Sequence, residues 1–344
     1  MKRKDWLLAI LACFVLAGAL IGLYQYRSAN TPQPQTAETP EPQAKKGEPA
    51  VTLRVTREFG TVRMTEKSIP VQAGDTVIDV LKRSGLPLKT GYNGGFVESI
   101  DGVASEYQPG NPASKKRDWF FYVNGQMADV GAAEFAVHAG DIVWWDFHSW
   151  EYAISTPSMI GAYPHPFRVR EGEKPAWPLV VMAGKGFEEQ AEQVADALQK
   201  VRGERVNVVS WNESQWTKEN GLVMVGDTAA LLASPFVQEL WKAKQMQGLF
   251  VELNQQGVVA VSDQGKPAGQ YNRPGTGLLL ATMHPQTRMP VWIVSGTDAD
   301  GVSKIAQSLA TTGEPAPFDS YAGAVWADGK WVRLPALDAA EDKQ

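Results

Sequence analysis

The sequence predicts an α+β module followed by a mainly parallel α/β module, on three observations. Short alternating strands with one helix fill residues 51–154. Continuous apolar strands alternating with amphipathic helices fill residues 179–335. A connector, 155–178, separates them and carries Pro157, Pro164, Pro166, Pro175 and Pro178. Alternation marks a half-buried sheet, and apolar strands between helices mark a sheet covered on both faces. With 344 residues, 44% of them hydrophobic, the chain can bury such cores, which excludes global disorder.

In the first module Val51, Leu53 and Val55 alternate with polar residues as a strand, and Thr61 to Val71 supplies a second strand. Val77, Val80 and Leu81 then fall at helical spacing, with Thr76 placed to cap and Gly85 to terminate. Further strands are expected at Gly95–Val103, Asp118–Asn124 and Asp141–Tyr152. Two strands, a helix and more strands, in that order, point to a ubiquitin-like β-grasp arrangement.

In the second module LVVMAG precedes a helix from Phe187 to Val201 with Ala191, Val194, Ala195 and Leu198 on one stripe. RVNVVS and GLVMVG follow, then one helix from the cap Asp227-Thr228 toward Lys244. GLFVEL, Gly257–Val261, Leu278–His284 and PVWIVSG are the later strands, before a helix at Asp300–Ala310 and a hairpin turning on Asp328-Gly329. The last residues, 336–344, read as a tail.

Residues 1–27 read as a cytoplasmic N-terminus and a membrane anchor. Lys2, Arg3 and Lys4 precede an uncharged run from Trp6 to Tyr24, which at about 1.5 Å per residue nearly spans a ~30 Å hydrocarbon core. The basic flank directs the remainder out of the cytoplasm, as a single-pass cell-membrane protein. Cleavage of this segment and lipidation of Cys13 are the alternatives. Residues 28–50 are proline-rich and hold no large apolar side chain, as in a tether.

Charge and sulfur exclude several classes. With 33 basic and 38 acidic side chains and a net charge of -5, the chain lacks the basic footprint of a nucleic-acid binder. A single cysteine cannot build a disulfide framework or a thiolate metal site. His138, His148 and His165 lack ligand spacing, so no metal and no catalytic residue is expected. Gly184-Lys185-Gly186 has neither dinucleotide nor P-loop spacing, and no G-x-S-x-G occurs. These absences favour a binder over an enzyme.

Binding candidates lie on the last strand of the first module. Period-two alternation sets Val143, Trp145 and Phe147 on one face and Trp144, Asp146, His148, Trp150 and Tyr152 on the other. Tyr122 and Asn124 extend the second set, and Tyr163 joins it from the connector. Aromatics interleaved with a carboxylate and an imidazole suit a ring-bearing ligand, and suit contact with the second module better still. The connector is also placed to line a cleft between the modules.

The residues carry a family resemblance over about 51–152. Gly74-Asp75-Thr76-Val77 with Leu81, Phe96-Val97 with Ser99-Ile100 and Gly102, Trp119 with Tyr122-Val123-Asn124-Gly125, and Gly140-Asp141 with Val143 and Trp145 occur in that order. This succession resembles DUF4430, the transcobalamin-like C-terminal domain family. In the animal carriers the comparable domain closes over one face of cobalamin, so the resemblance implies a β-grasp binding module and makes cobalamin or another corrinoid a candidate ligand. It is not a resident cofactor. The helical barrel that completes those carriers has no counterpart in this sequence, and Glu106–Arg117 lengthens one loop. The expectation is a membrane-anchored extracytoplasmic small-molecule-binding protein that serves a transporter; the alternative is a cell-surface module that contacts protein or cell wall.

Overall fold

The computed structural model describes residues 44–336, apart from 46, 92–94, 171, 217–218, 256 and 311–315. The expected anchor, most of the expected tether and all of the expected tail but Ala336 lie outside the described residues. Among the described residues no helix is long and apolar enough to cross a membrane. Residues 107–114 group apart and make their own turn, in which Ser114 N donates to the Asn111 carbonyl at 3.1 Å. The remaining described residues form one body. It is mixed α/β.

The first part of that body runs β1 (Ala50–Arg57), β2 (Val62–Pro70), α1 (Val77–Arg83), β3 (Leu88–Gly91), β4 (Phe96–Ile100), β5 (Val103–Ala104), β6 (Arg117–Val123), β7 (Gln126–Met127) and β8 (Ile142–Ser149). Five strands make one sheet in the order β2-β1-β8-β6-β7, with β1 parallel to β8 and the other neighbours antiparallel. Strands β3, β4 and β5 form a small second sheet. The strand expected at Gly95–Val103 is a hairpin instead, because Asp101 and Gly102 both adopt positive φ (48° and 80°) and reverse the chain. Helix α1 begins where expected: the Asp79 carboxylate accepts from the Thr76 backbone N–H at 3.0 Å, satisfying a free donor at the helix start.

The second part runs β9 (Leu179–Ala183), α2 (Glu188–Arg202), β10 (Asn207–Ser210), β11 (Gly221–Val225), α3 (Thr228–Ala233), α4 (Pro235–Lys242), β12 (Val251–Asn254), β13 (Gly257–Val261), β14 (Pro267–Tyr271), β15 (Gly277–Met283), β16 (Pro290–Gly296), α5 (Ala299–Ala310), β17 (Gly323–Ala327) and β18 (Lys330–Leu334). Its main sheet has the order β10-β9-β11-β16-β15-β17-β18. The first four strands are parallel, and the pairings of β15 with β16 and β17, and of β17 with β18, are antiparallel. The sheet, expected to be mainly parallel, is parallel only as far as β16. Only a short loop joins β15 to β16, and so short a loop admits no crossover. The single helix expected after Asp227 is two, because Pro235 cannot continue α3; Ser234 instead caps α4, accepting from Val237 N at 3.3 Å.

Three cores stack through the molecule. One packs Val77, Val80 and Leu81 of α1 against Leu53, Val55, Val143, Trp145 and Phe147. A second packs α2 and α5 on the main sheet through Ala191, Val194, Leu198, Ile305 and Trp292. Between them, a central core joins Tyr122 and Trp144 of the first sheet to Leu222, Met224 and Leu278 of the main sheet, with Phe236, Leu240 and Phe250. Every residue of β8 is buried, so this strand is covered on both faces.

Candidate functional site

The alternation read along β8 holds from Val143 to His148, and the face offered to a ligand or to the second module lies inside, against the second part of the body. Trp144 is 0% exposed and its Nε1 donates to Thr56 Oγ1 at 2.6 Å. Tyr122 is also fully buried, and burial pushes its hydroxyl well above its ordinary pKa. Neither ring has a face left for a ligand, which corrects the stacking role expected of both. Tyr152 is half-buried with its ring 5.8 Å from Phe250, and Tyr163 is buried with its hydroxyl donating to the Leu309 carbonyl at 2.6 Å. Trp150 lies beyond the end of β8, half-buried under the Lys116 ammonium at 5.7 Å.

Asp146 and His148, expected as polar anchors for a ligand, serve the β1–β2 turn. Glu58, Phe59 and Gly60 all take positive φ (54°, 56° and 84°), which aims successive N–H groups to one side. The Asp146 carboxylate receives two of them, from Phe59 N at 2.9 Å and Gly60 N at 2.8 Å, together with the Thr56 hydroxyl. His148 Nδ1 lies 2.7 Å from the same carboxylate, its ring stacked between Phe59 at 4.2 Å and Phe120 at 4.4 Å. Glycine is required at position 60, where a Cβ would come 1.9 Å from the Ser320 carbonyl oxygen. Arg54, its guanidinium 5.2 Å over the Trp144 ring, donates to the Gly161 carbonyl at 3.2 Å and pairs with Asp319 at 2.9 Å. These residues seal the junction between the two parts of the body.

Of the sequence candidates, Asn124 lines a cleft. With Gly125 it forms the β6–β7 turn, both at positive φ (52° and 78°). Beside that turn opens a cleft of about 480 Å³. One wall is the end of the first sheet, with Asn124, Gln126, Phe135 and Asp141; the connector supplies another through His165, Arg168, Arg170 and Trp177, and Arg202 enters from α2. The Asn124 amide bridges Asp141 and Ile142 N, each at 2.9 Å, which fixes the rim. Asp141, 3% exposed, also accepts from His138 N at 2.9 Å and takes Arg170 Nη2 at 3.0 and 3.2 Å, so the connector is pinned to the sheet. Trp177 is held under Arg202, whose guanidinium lies 4.7 Å from its ring.

Of the cleft residues that sequence reasoning passed over, Phe135, Arg168 and Lys174 sit outside the strands and α-helices and Gln126 sits on β7, a strand of two residues that is too short to show periodicity. The signal available was the basic pair Arg168 and Arg170 inside a proline-rich connector. Burial, reinforced by the adjacent Arg168 charge, pushes His165 down to about 4, so its ring is neutral at physiological pH. Among the described residues no three His, Cys, Asp or Glu side chains gather as a metal cluster.

The family comparison falls on this same segment. Residues 74–149 match the model of DUF4430, a domain of unknown function. The DUF4430 segment therefore contains α1, β6, β8 and the Asn124 and Asp141 rim of the cleft. No match is found among curated proteins. Among solved structures, a protein from Ruminococcus gnavus to which metal binding has been ascribed aligns at 17% identity, over 30% of this chain and 98% of that one, with a TM-score of 0.22.

Proposed function

We propose that this protein binds a small molecule in the cleft beside the Asn124-Gly125 turn, and that its DUF4430 segment belongs to a β-grasp domain. The observation that carries the reading is the cleft itself. Its volume of about 480 Å³ lies within the roughly 300–1,000 Å³ usual for ligand sites. Three separate stretches of chain line it, and buried Asp141 fixes its rim. The strand order β2-β1-β8-β6-β7, with β1 parallel to β8 and α1 on one face, supports the β-grasp assignment. The three parallel pairings around β9 and β11 support an α/β reading of the second part.

A binder fits better than a catalyst, since the closest carboxylate–imidazole pair among the described residues, Asp146 and His148 at 2.7 Å, is sealed in the interior. A corrinoid remains the candidate that the resemblance implies, and a cleft this size would take one edge of such a macrocycle rather than enclose it. The basic flank and apolar run at the N-terminus support an anchored, extracytoplasmic protein that passes its ligand to a transporter.

The test is a thermal-shift screen of the full chain against corrinoids, small organic acids and phosphate esters, with hits mapped by hydrogen exchange. Hits that protect residues 164–177 and the Asn124-Gly125 turn are expected. Hits that map elsewhere, or no hit at all, would overturn the cleft as the binding site.

A further inference from the structure

The cleft reverses the charge of the molecule around it. The chain carries a net charge of -5, yet the hollow is lined by Arg168, Arg170, Lys174 and Arg202 against Asp141 and Glu173. Arg170 is taken by Asp141 at 3.0 Å and Glu173 at 3.5 Å, and Arg202 by Glu204 at 2.7 Å. Arg168 and Lys174 are exposed, and among the described residues neither has a carboxylate partner.

Arg168 is nevertheless oriented. Its Nη1 lies 3.2 Å from His165 Nε2, and since a guanidinium can only donate, that ring nitrogen must accept. A neutral imidazole in this position fixes the direction of the guanidinium without cancelling its charge. A carboxylate would have done both. The remaining donors of Arg168 stay available in the planar fork that suits carboxylate and phosphate oxygens.

A second hollow of about 190 Å³ shares Val123, Gln126 and Phe135 with the first and adds Met127 and Met283. At the shared wall the buried Gln126 Nε2 has no acceptor among the described residues. A buried amide donor without a partner is costly, and a ligand oxygen would satisfy it.

Resting on the cleft reading above, the geometry points to a small organic anion as the ligand, a carboxylate or phosphate on an apolar body. Its charged group lies on Arg168 and Lys174. Its apolar part lies against Phe135, Met127 and Met283, and between the two Gln126 Nε2 donates to an oxygen of the ligand.

The experiment is calorimetric titration of the full chain with phenyl phosphate, inorganic phosphate and phenol at neutral pH. Phenyl phosphate should saturate, inorganic phosphate should bind about tenfold more weakly for want of the apolar part, and phenol should give no heat. Arg168→Gln should weaken phenyl phosphate by about tenfold or more. Glu171, three residues along the chain from Arg168, is the control: a gain of more than about tenfold in Glu171→Gln would mean that it already occupies Arg168, and would overturn the assignment. Phenol binding as tightly as phenyl phosphate, or an unchanged affinity in Arg168→Gln, would overturn the anion while leaving the cleft standing. No heat from any of the three probes, with no hit in the wider screen, would overturn both.

Discussion

Two regions of the molecule contrast sharply: the aromatic face of β8 and the charged cleft rim where the β6–β7 turn meets the connector. The first holds Trp144, Asp146 and His148, all at most 2% exposed, each engaged with the chain's own turns and rings. The second holds Asn124, Arg168 and Lys174, which border open space. Richness in binding-type side chains therefore does not locate the site. An aromatic strip is also what a sheet needs to bury against a neighbour, and here the second part of the same body covers it.

The contrast makes separable predictions. The largest effect belongs to the strip: Trp144→Ala should cost about 3–5 kcal/mol, as Trp145→Ala should on the opposite face, because both rings are core. Chemical denaturation measures this, and a small cost at Trp144 alone would break the comparison. Asp146→Ala should follow at about 3 kcal/mol, since it strands the Phe59 and Gly60 N–H groups and the Thr56 hydroxyl away from water. At the rim, Arg168→Gln should change stability by less than about 0.5 kcal/mol, because its side chain is exposed and unpaired with any described carboxylate. A large loss there would make Arg168 a structural residue.

A pH series sharpens the comparison further. His165 is held at about 4 against an ordinary 6.5, so between these values the unfolded chain takes up a proton that the native state refuses, and stability falls as pH falls. Asp118, across from His148 on β6, works in the opposite sense. Burial pushes it up to about 6 from 3.8, so the native state takes up its proton first and stability falls as pH rises through that window. Thermal melts between pH 4 and 6.5 should therefore show a flatter acid decline in His165→Gln and a steeper one in Asp118→Asn. The same melts with the two variants indistinguishable from the parent would remove both titrations as contributors.

The α1 cap at Thr76, the stripe of α2 and the partition of β8 into Val143, Trp145 and Phe147 on one side and Trp144, Asp146 and His148 on the other were all legible in the sequence. Each is a local consequence of helical or strand periodicity and of backbone donors that need partners. The break at Pro235 and the hairpin at Asp101-Gly102 were missed, because the apolar pattern runs on across residues whose backbone preferences override it. The role of Asn124-Gly125 as a turn was equally local; its place on the rim of a cleft was not.

What only the tertiary structure decided is which covered surface meets which. Periodicity states that two faces of β8 differ, but not that both are buried, because burial depends on what packs from far along the chain: Phe250, Leu278 and Met159 on one side, α1 on the other. The cleft is decided in the same way. Asp141, Arg168 and Gln126 share no periodicity and little sequence proximity, and it is the pinning of Arg170 on Asp141 that brings the connector against the end of the sheet. The sequence by itself determined the elements and their amphipathic faces, since those follow from interactions within a few residues. The site arises from contacts whose partners lie tens of residues apart, and only the folded chain selects them.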